Sequence, residues 1–175
     1  MQAILHCDRN WGIGKRNDLM FHLPKDMKFF RTSTTGKVVV MGSNTLLSFP
    51  GGKPLKGRTN IVLWPGGDEN RAKEDGFIMV QSLSELFTEI AKYQPEDVFV
   101  IGGAMMYHTL LPYCDKVLLT KVDADGQAEV FFDNLDKLDN WQMTYQSEPQ
   151  EDNGYVIRFT TYENSNVLPL EVKDV

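Results

Sequence analysis

The chain has 175 residues, 42% hydrophobic and 24% charged, which fits a water-soluble globular fold with a sizeable core in one domain. Eighteen basic side chains against twenty-four acidic ones leave a net charge of −6. That balance argues against a broad nucleic-acid or anionic-membrane surface and leaves room only for a local basic pocket. Cys7 and Cys114 show neither metal-ligand spacing nor a CxxC pattern, so two reduced, packed thiols are expected. Three scattered histidines suggest no metal site. No charged-then-apolar leader precedes the first strand and no apolar run nears membrane-spanning length, so the expectation is a cytoplasmic monomer.

In chain order, Ala3-Ile4-Leu5 begins an apolar strand, and a polar, glycine-containing loop follows through Leu23. Pro24 suits a first helical position, where its missing N–H costs nothing. Met27, Phe30, Arg31 and Thr34 then share one face, predicting a helix to about Thr34. Val38-Val39-Val40-Met41 is too short for a helix and β-branched, as a parallel strand buried on both faces would be. A short helix is expected between Gly42 and Pro50, then strands at Thr59 to Leu63 and Phe77 to Val80. Ser82-Leu83-Ser84-Glu85 is a capping box that opens a helix toward Lys92, with Leu83, Leu86, Phe87 and Ile90 inward. Val98 to Ile101 is a strand ended by Gly102-Gly103 and a helix through Leu111; Lys116 to Val122 is another strand. Trp141 to Ser147 and Tyr155 to Tyr162 alternate and are joined by a loop ending Asn153-Gly154, which predicts an antiparallel hairpin. The pattern describes a three-layer α/β fold, a mostly parallel sheet with flanking helices. One domain over 1–163 and a loose tail over 164–175 are expected.

In such sheets ligands bind beyond the carboxyl ends of the strands. Three segments qualify. Ile101-Gly102-Gly103-Ala104 would let backbone N–H groups approach a pyrophosphate at a helix start, or it is only a tight turn. Met41-Gly42-Ser43-Asn44-Thr45 offers a second such opening, or a simple N-cap. No GxGxxG follows the first strand, so this is not a Rossmann fingerprint. Asp26, in a first helical turn, is either an exposed acid favoured by the helix dipole or a catalytic group, and the second requires burial or a cationic partner. Arg58 could pair with a ligand carboxylate or lie on the surface.

Taken together, these segments resemble the dihydrofolate reductase family. The resemblance rests on Gly12-Ile13-Gly14-Lys15, Leu23-Pro24-Lys25-Asp26-Met27 with Phe30, Val40-Met41-Gly42 with Thr45, Pro54 to Ile61, Val100 to Ala104 with Tyr107, and Leu119-Thr120 with Asp123. It implies an eight-stranded sheet, NADPH as hydride donor and 7,8-dihydrofolate as substrate. By position it places Asp26, Thr120 and Phe21 at the catalytic centre. Asp26 would hold the pteridine amino group and ring N–H and assist protonation of N5 through water. To substrate binding it assigns Ile4, His6, Met27, Phe30, Lys53, Arg58, Ile101 and Thr120, with Arg58 on the glutamate α-carboxylate. To NADPH it assigns His6, Ile13, Gly14, Leu19, Gly42, Ser43, Asn44, Thr45, Leu63, Trp64, Pro65 and Gln81. Ile101, Gly102, Gly103, Ala104, Met105, Met106 and Tyr107 complete that set, with Gly102-Gly103 as the family's cis peptide. The loop from Gly14 to Met20 would close over the nicotinamide, and antifolate inhibitors are implied as further ligands.

The sequence departs from the family at several of these positions. Phe21 stands where the family has tryptophan, so an indole N–H is replaced by a ring without a donor. His6 replaces an alanine, and its ring must find room. Ser43 and Trp64-Pro65 stand where arginine and small hydroxyl residues surround the 2′-phosphate, and Gln81 is near a position often basic. Two other functions remain open: a related pyrimidine reductase of riboflavin synthesis, whose substrate offers a phosphate, and a folate-binding protein without activity. Arg58 with Asp26 favours folate over the first, and the joint presence of Asp26, Thr120, Arg58 and Gly102-Gly103 argues against the second.

Overall fold

The β-branched runs become neighbours in one sheet. The computed structural model describes residues 1–16 and 18–171. The chain begins with β1 (Gln2–Cys7), β2 (Gly12–Gly14), α1 (Pro24–Thr34), β3 (Val38–Gly42), α2 (Ser43–Ser48) and β4 (Thr59–Leu63). It alternates onward through α3 (Glu69–Asp75), β5 (Ile78–Val80), α4 (Leu83–Ile90), β6 (Val98–Gly102), α5 (Ala104–Leu110) and β7 (Lys116–Val122). It closes with β8 (Val130–Phe131), β9 (Trp141–Gln146), β10 (Gln150–Asp152) and β11 (Tyr155–Asn164). None of these helices is long and apolar enough to cross a membrane.

The main sheet runs β5-β4-β3-β6-β1-β7-β11, and β9 and β10 share the outer edge of β11. It is therefore eight positions wide, parallel from β5 to β7 and antiparallel beyond. Parallel strands need cover on both faces, and successive side chains supply it. Val38 and Val40 point with Ala3, Leu63 and Val100 into a core closed by Leu86, Phe87 and Ile90 of α4 and Leu110 of α5. Val39 and Met41 point with Ile4, Val62 and Phe99 into a second core, covered by Leu46 of α2, Ala72 of α3 and Phe29 and Phe30 of α1. These two cores make the three layers.

Several local expectations change. The expected antiparallel pairing of the two C-terminal strands is present between β9 and β11, with a bulge at Thr161/Tyr162, and the loop between them adds β10, joined to β11 by the tight turn at Asn153-Gly154. α3 has no apolar stripe to announce it; it is set by Asp68, whose side chain accepts from Asn70 N at 2.9 Å. β2 and β8 form a separate antiparallel ribbon. α1 buries Asp26 and Thr34 and half-buries Phe29 and Phe30, whereas Met27 and Arg31 are exposed. Beyond β11, Leu168 N bonds Pro112 O at 3.0 Å and Leu170 packs on the core, so the segment to Leu170 is docked. Residues 172–175 of the expected tail lie outside the described residues.

Candidate active site

Asp26 is 9% exposed and sits between α1 and the sheet. Buried carboxylates need donors, and two neighbouring strands provide them. Thr120 Oγ1 donates to Asp26 Oδ1 at 2.6 Å, and His6 Nδ1 lies 3.1 Å from Oδ2. Thr120 and His6 are register partners on β7 and β1, so adjacent backbone positions aim both groups at one acid. A second carboxylate fixes where α1 begins. Leu23 at the N-cap has no capping side chain, and Asp152 of β10 takes its place, accepting from Lys25 N at 3.0 Å and Asp26 N at 3.2 Å. Asn153 Nδ2 adds a bond to His22 O at 2.9 Å. The β10–β11 turn thus holds the first turn of α1 in place. Sequence reasoning missed Asp152, because only the Asn153-Gly154 turn beside it carries a local signal.

In the core that α1 covers, Ile4 is buried, and Ile101 and Phe30 are half-buried against it. Phe21 is buried in a small cluster with Leu23, Val122 and Ile157; its ring is 4.8 Å from Tyr155 and 6.0 Å from His6, centroid to centroid. Tyr107 donates from its hydroxyl to Ile4 O at 3.1 Å. Burial, and then the nearby Asp26 charge, push the Tyr107 phenol far above its ordinary value, so it stays protonated. Arg58 reaches the same side of the molecule, its guanidinium 5.9 Å from the Phe30 ring centroid. Asn60, itself buried, shapes the loop before it: Oδ1 accepts from Leu55 N, and Nδ2 donates to the carbonyls of Leu55 and Arg58. Arg58 Nε is buried and meets no hydrogen-bond partner among the described residues. Burial, and then the charge of Arg31, lower its guanidinium below the ordinary arginine value. Both effects make an anion welcome there.

The two glycine-flanked helix starts lie side by side. β3 and β6 are paired, with Met41 opposite Gly102, and they run straight into α2 and α5. Neither Gly42 nor Gly103 supplies a side-chain cap. The Gly102–Gly103 peptide is cis and Gly102 has φ +132°, a conformation side-chain-bearing residues rarely adopt. A Cβ there would also come within 3.2 Å of Thr45 Oγ1 and 3.7 Å of the Tyr107 ring. The backbone at this edge is therefore bare by necessity, which suits close approach of a phosphate.

The remaining residues of the expected set differ in exposure and partners. Lys53 turns to Asp75 of α3, Nζ to Oδ1 at 2.7 Å. Met27, Leu19 and Met105 are exposed, whereas Met106 is wholly inside the core. Leu63 is buried at the end of β4, followed by half-buried Trp64 and exposed Pro65. Arg71 stacks on Trp64 at 5.4 Å while also bonding Gly52 O and pairing with Asp75. Gln81 Oε1 accepts from Gly66 N at 2.7 Å. Ser43 and Thr45 are half-buried on α2, and Asn44 is exposed beside them. Ile13 and Gly14 belong to β2, and the loop expected to close from Gly14 to Met20 contains Asn17, which lies outside the described residues. A second residue that sequence reasoning missed organises this region. The buried Asp8 carboxylate accepts from Asn10 N at 2.8 Å, Gly12 N at 2.7 Å and Gly126 N at 3.0 Å.

Comparison with known proteins agrees with this geometry. The family model described as dihydrofolate reductase matches residues 1–164. A dihydrofolate reductase of Bacillus subtilis is 36% identical over 165 residues, covering 93% of this chain and 94% of that protein. One from Haemophilus influenzae is 33% identical over 149 residues, covering 84% of this chain and 88% of that protein. Among solved structures, dihydrofolate reductase from Enterococcus faecalis, complexed with NADP(H) and RAB-propyl, superposes with a TM-score of 0.80 at 30% identity. That match covers 93% of this chain and 95% of the other. With the family model matched over residues 1–164 and a relative 36% identical along nearly the whole of both chains, this chain belongs to the dihydrofolate reductase family.

Proposed function

We propose that this chain reduces 7,8-dihydrofolate to 5,6,7,8-tetrahydrofolate with NADPH, a hydride arriving at C6 and a proton at N5, and so supplies one-carbon metabolism. The observation that carries the reading is Asp26, a buried acid beside a helix start with lone pairs still available for a ligand's N–H donors. NADPH, when bound, supplies the hydride. The chain's own residues do the rest. Asp26 holds the pteridine amino group and ring N–H, and Thr120 keeps the carboxylate oriented through its 2.6 Å bond. Reduction at C6 makes N5 basic, and a single ionisable acid with water suffices to assist that protonation. Ile4, Ile101, Phe30 and the His6 backbone edge the ring system, and Phe21 closes it as an apolar wall. Arg58, whose Nε has no partner among the described residues and whose neighbour is Arg31, receives the glutamate α-carboxylate.

The cofactor fits the two glycine-flanked helix starts: Gly102, Gly103 and Ala104 on one side and Gly42, Ser43 and Thr45 on the other bring backbone toward its phosphates, with no side-chain cap from Gly42 or Gly103. The test follows NADPH oxidation by the purified protein with dihydrofolate, beside NADH and beside a phosphorylated ribosylaminopyrimidine. Turnover with dihydrofolate and not with the pyrimidine is the expected result. Turnover of the pyrimidine alone would assign the other reductase, and no turnover with tight folate binding would assign a binding protein.

A further inference from the structure

His6 brings to the candidate site a ring that the proposed reaction does not use. It is 8% exposed, its Nδ1 faces Asp26 Oδ2 at 3.1 Å, and its Nε2 is buried without a hydrogen-bond partner among the described residues. Asp26 is the charged group that meets it from α1; Phe21 flanks it with a ring that has no donor, and the Tyr107 hydroxyl from α5 is committed to Ile4 O. An ionised carboxylate can only accept, so the contact requires the proton on Nδ1. Its four lone-pair positions are then half used, one on Oδ1 by Thr120 and one on Oδ2 by His6.

We propose that His6 is a positioning and specificity-determining residue: its Nδ1–H occupies Asp26 Oδ2 and lowers the affinity of the site for ligands that bring two N–H donors and a positive charge. Such a ligand, a protonated 2,4-diaminopyrimidine being the simplest, gains most from a carboxylate whose charge is not already shared with another donor. Neutral pteridines gain less from that charge, so His6 biases the site against the cation. The ligand half of this inference rests on the folate reading; the His6–Asp26 pairing does not.

Two measurements separate them. In the ligand-free protein, nitrogen-resolved NMR should show the His6 imidazole carrying its proton on Nδ1, with that resonance moving in Asp26→Asn. A bare Nδ1 unaffected by Asp26→Asn overturns the pairing. For the ligand half, dissociation constants for a diaminopyrimidine are compared in wild type, His6→Leu and His6→Asn. Leucine and asparagine have nearly the same shape, but only the amide keeps a donor near the position of Nδ1. His6→Leu should bind the cation about tenfold more tightly than wild type, the scale of one hydrogen bond to a charged group, with His6→Asn returning most of the way. Equal affinities for the Leu and Asn variants overturn the proposal, whatever the wild-type value. If the protein neither turns over nor binds dihydrofolate, the folate reading and the ligand half fail together, while the NMR result stands alone.

Discussion

Asp26 shows how much of a single residue's role is local. Its place in the first turn of a helix is legible from Pro24 and the spacing behind it, but its burial is not, because the donors that make burial tolerable come from β1 and β7, far away in sequence. Asp26→Asn should fold, since the amide can still accept from Thr120, and should lose about a hundredfold or more in turnover near neutral pH. Steady-state rates on a variant shown to be folded by circular dichroism check this; activity within a fewfold of wild type would remove Asp26 from the reaction. Arg58 is tested by separating binding from chemistry. Arg58→Leu should raise KM for dihydrofolate more than it lowers kcat, and it should do little to a pteridine without the glutamate tail. Equal losses on both substrates would make Arg58 a structural residue.

At the scale of elements, strands and helices with strong periodicity were readable, and those set by a tertiary partner were not. The capping box before α4 holds in one half, with Ser82 Oγ accepting from Glu85 N at 3.2 Å, while Glu85 reaches back to Gln81 N rather than Ser82 N, and Leu83, expected inward, is exposed. By contrast α3 is polar on every turn, and β10 has only three residues, too few to show alternation. The start of α1 depends on Asp152 in that same short strand. Asp152→Ala removes two backbone partners at once and should cost about 1–2 kcal/mol in urea unfolding, the upper range for a lost cap. KM for dihydrofolate should rise as well, because the turn released is the one that carries Asp26. A variant that loses stability but keeps KM would mean α1 starts correctly without its distant cap.

For the molecule as a whole, the expectation of packed thiols meets one core that encloses both sulfurs and leaves them little access to water. Burial pushes Cys7 and Cys114 from an ordinary 9.0 up to about 12. The raised values mean that the folded state disfavours thiolate, so this contribution to stability is intact below about pH 9 and is lost as pH climbs toward 12. At pH 8 neither thiol should react with an aromatic disulfide reagent until denaturant is added; rapid labelling of native protein would contradict the packing described. The buried Asp8 carries a different consequence. One carboxylate serves as the clasp for two separate stretches of chain, taking the amides of Asn10 and Gly12 on one side and Gly126 on the other. Neither stretch can swing away without leaving the anion short of donors for the other. The two loops are thereby yoked, and whatever loosens one is felt at once across the gap by its neighbour.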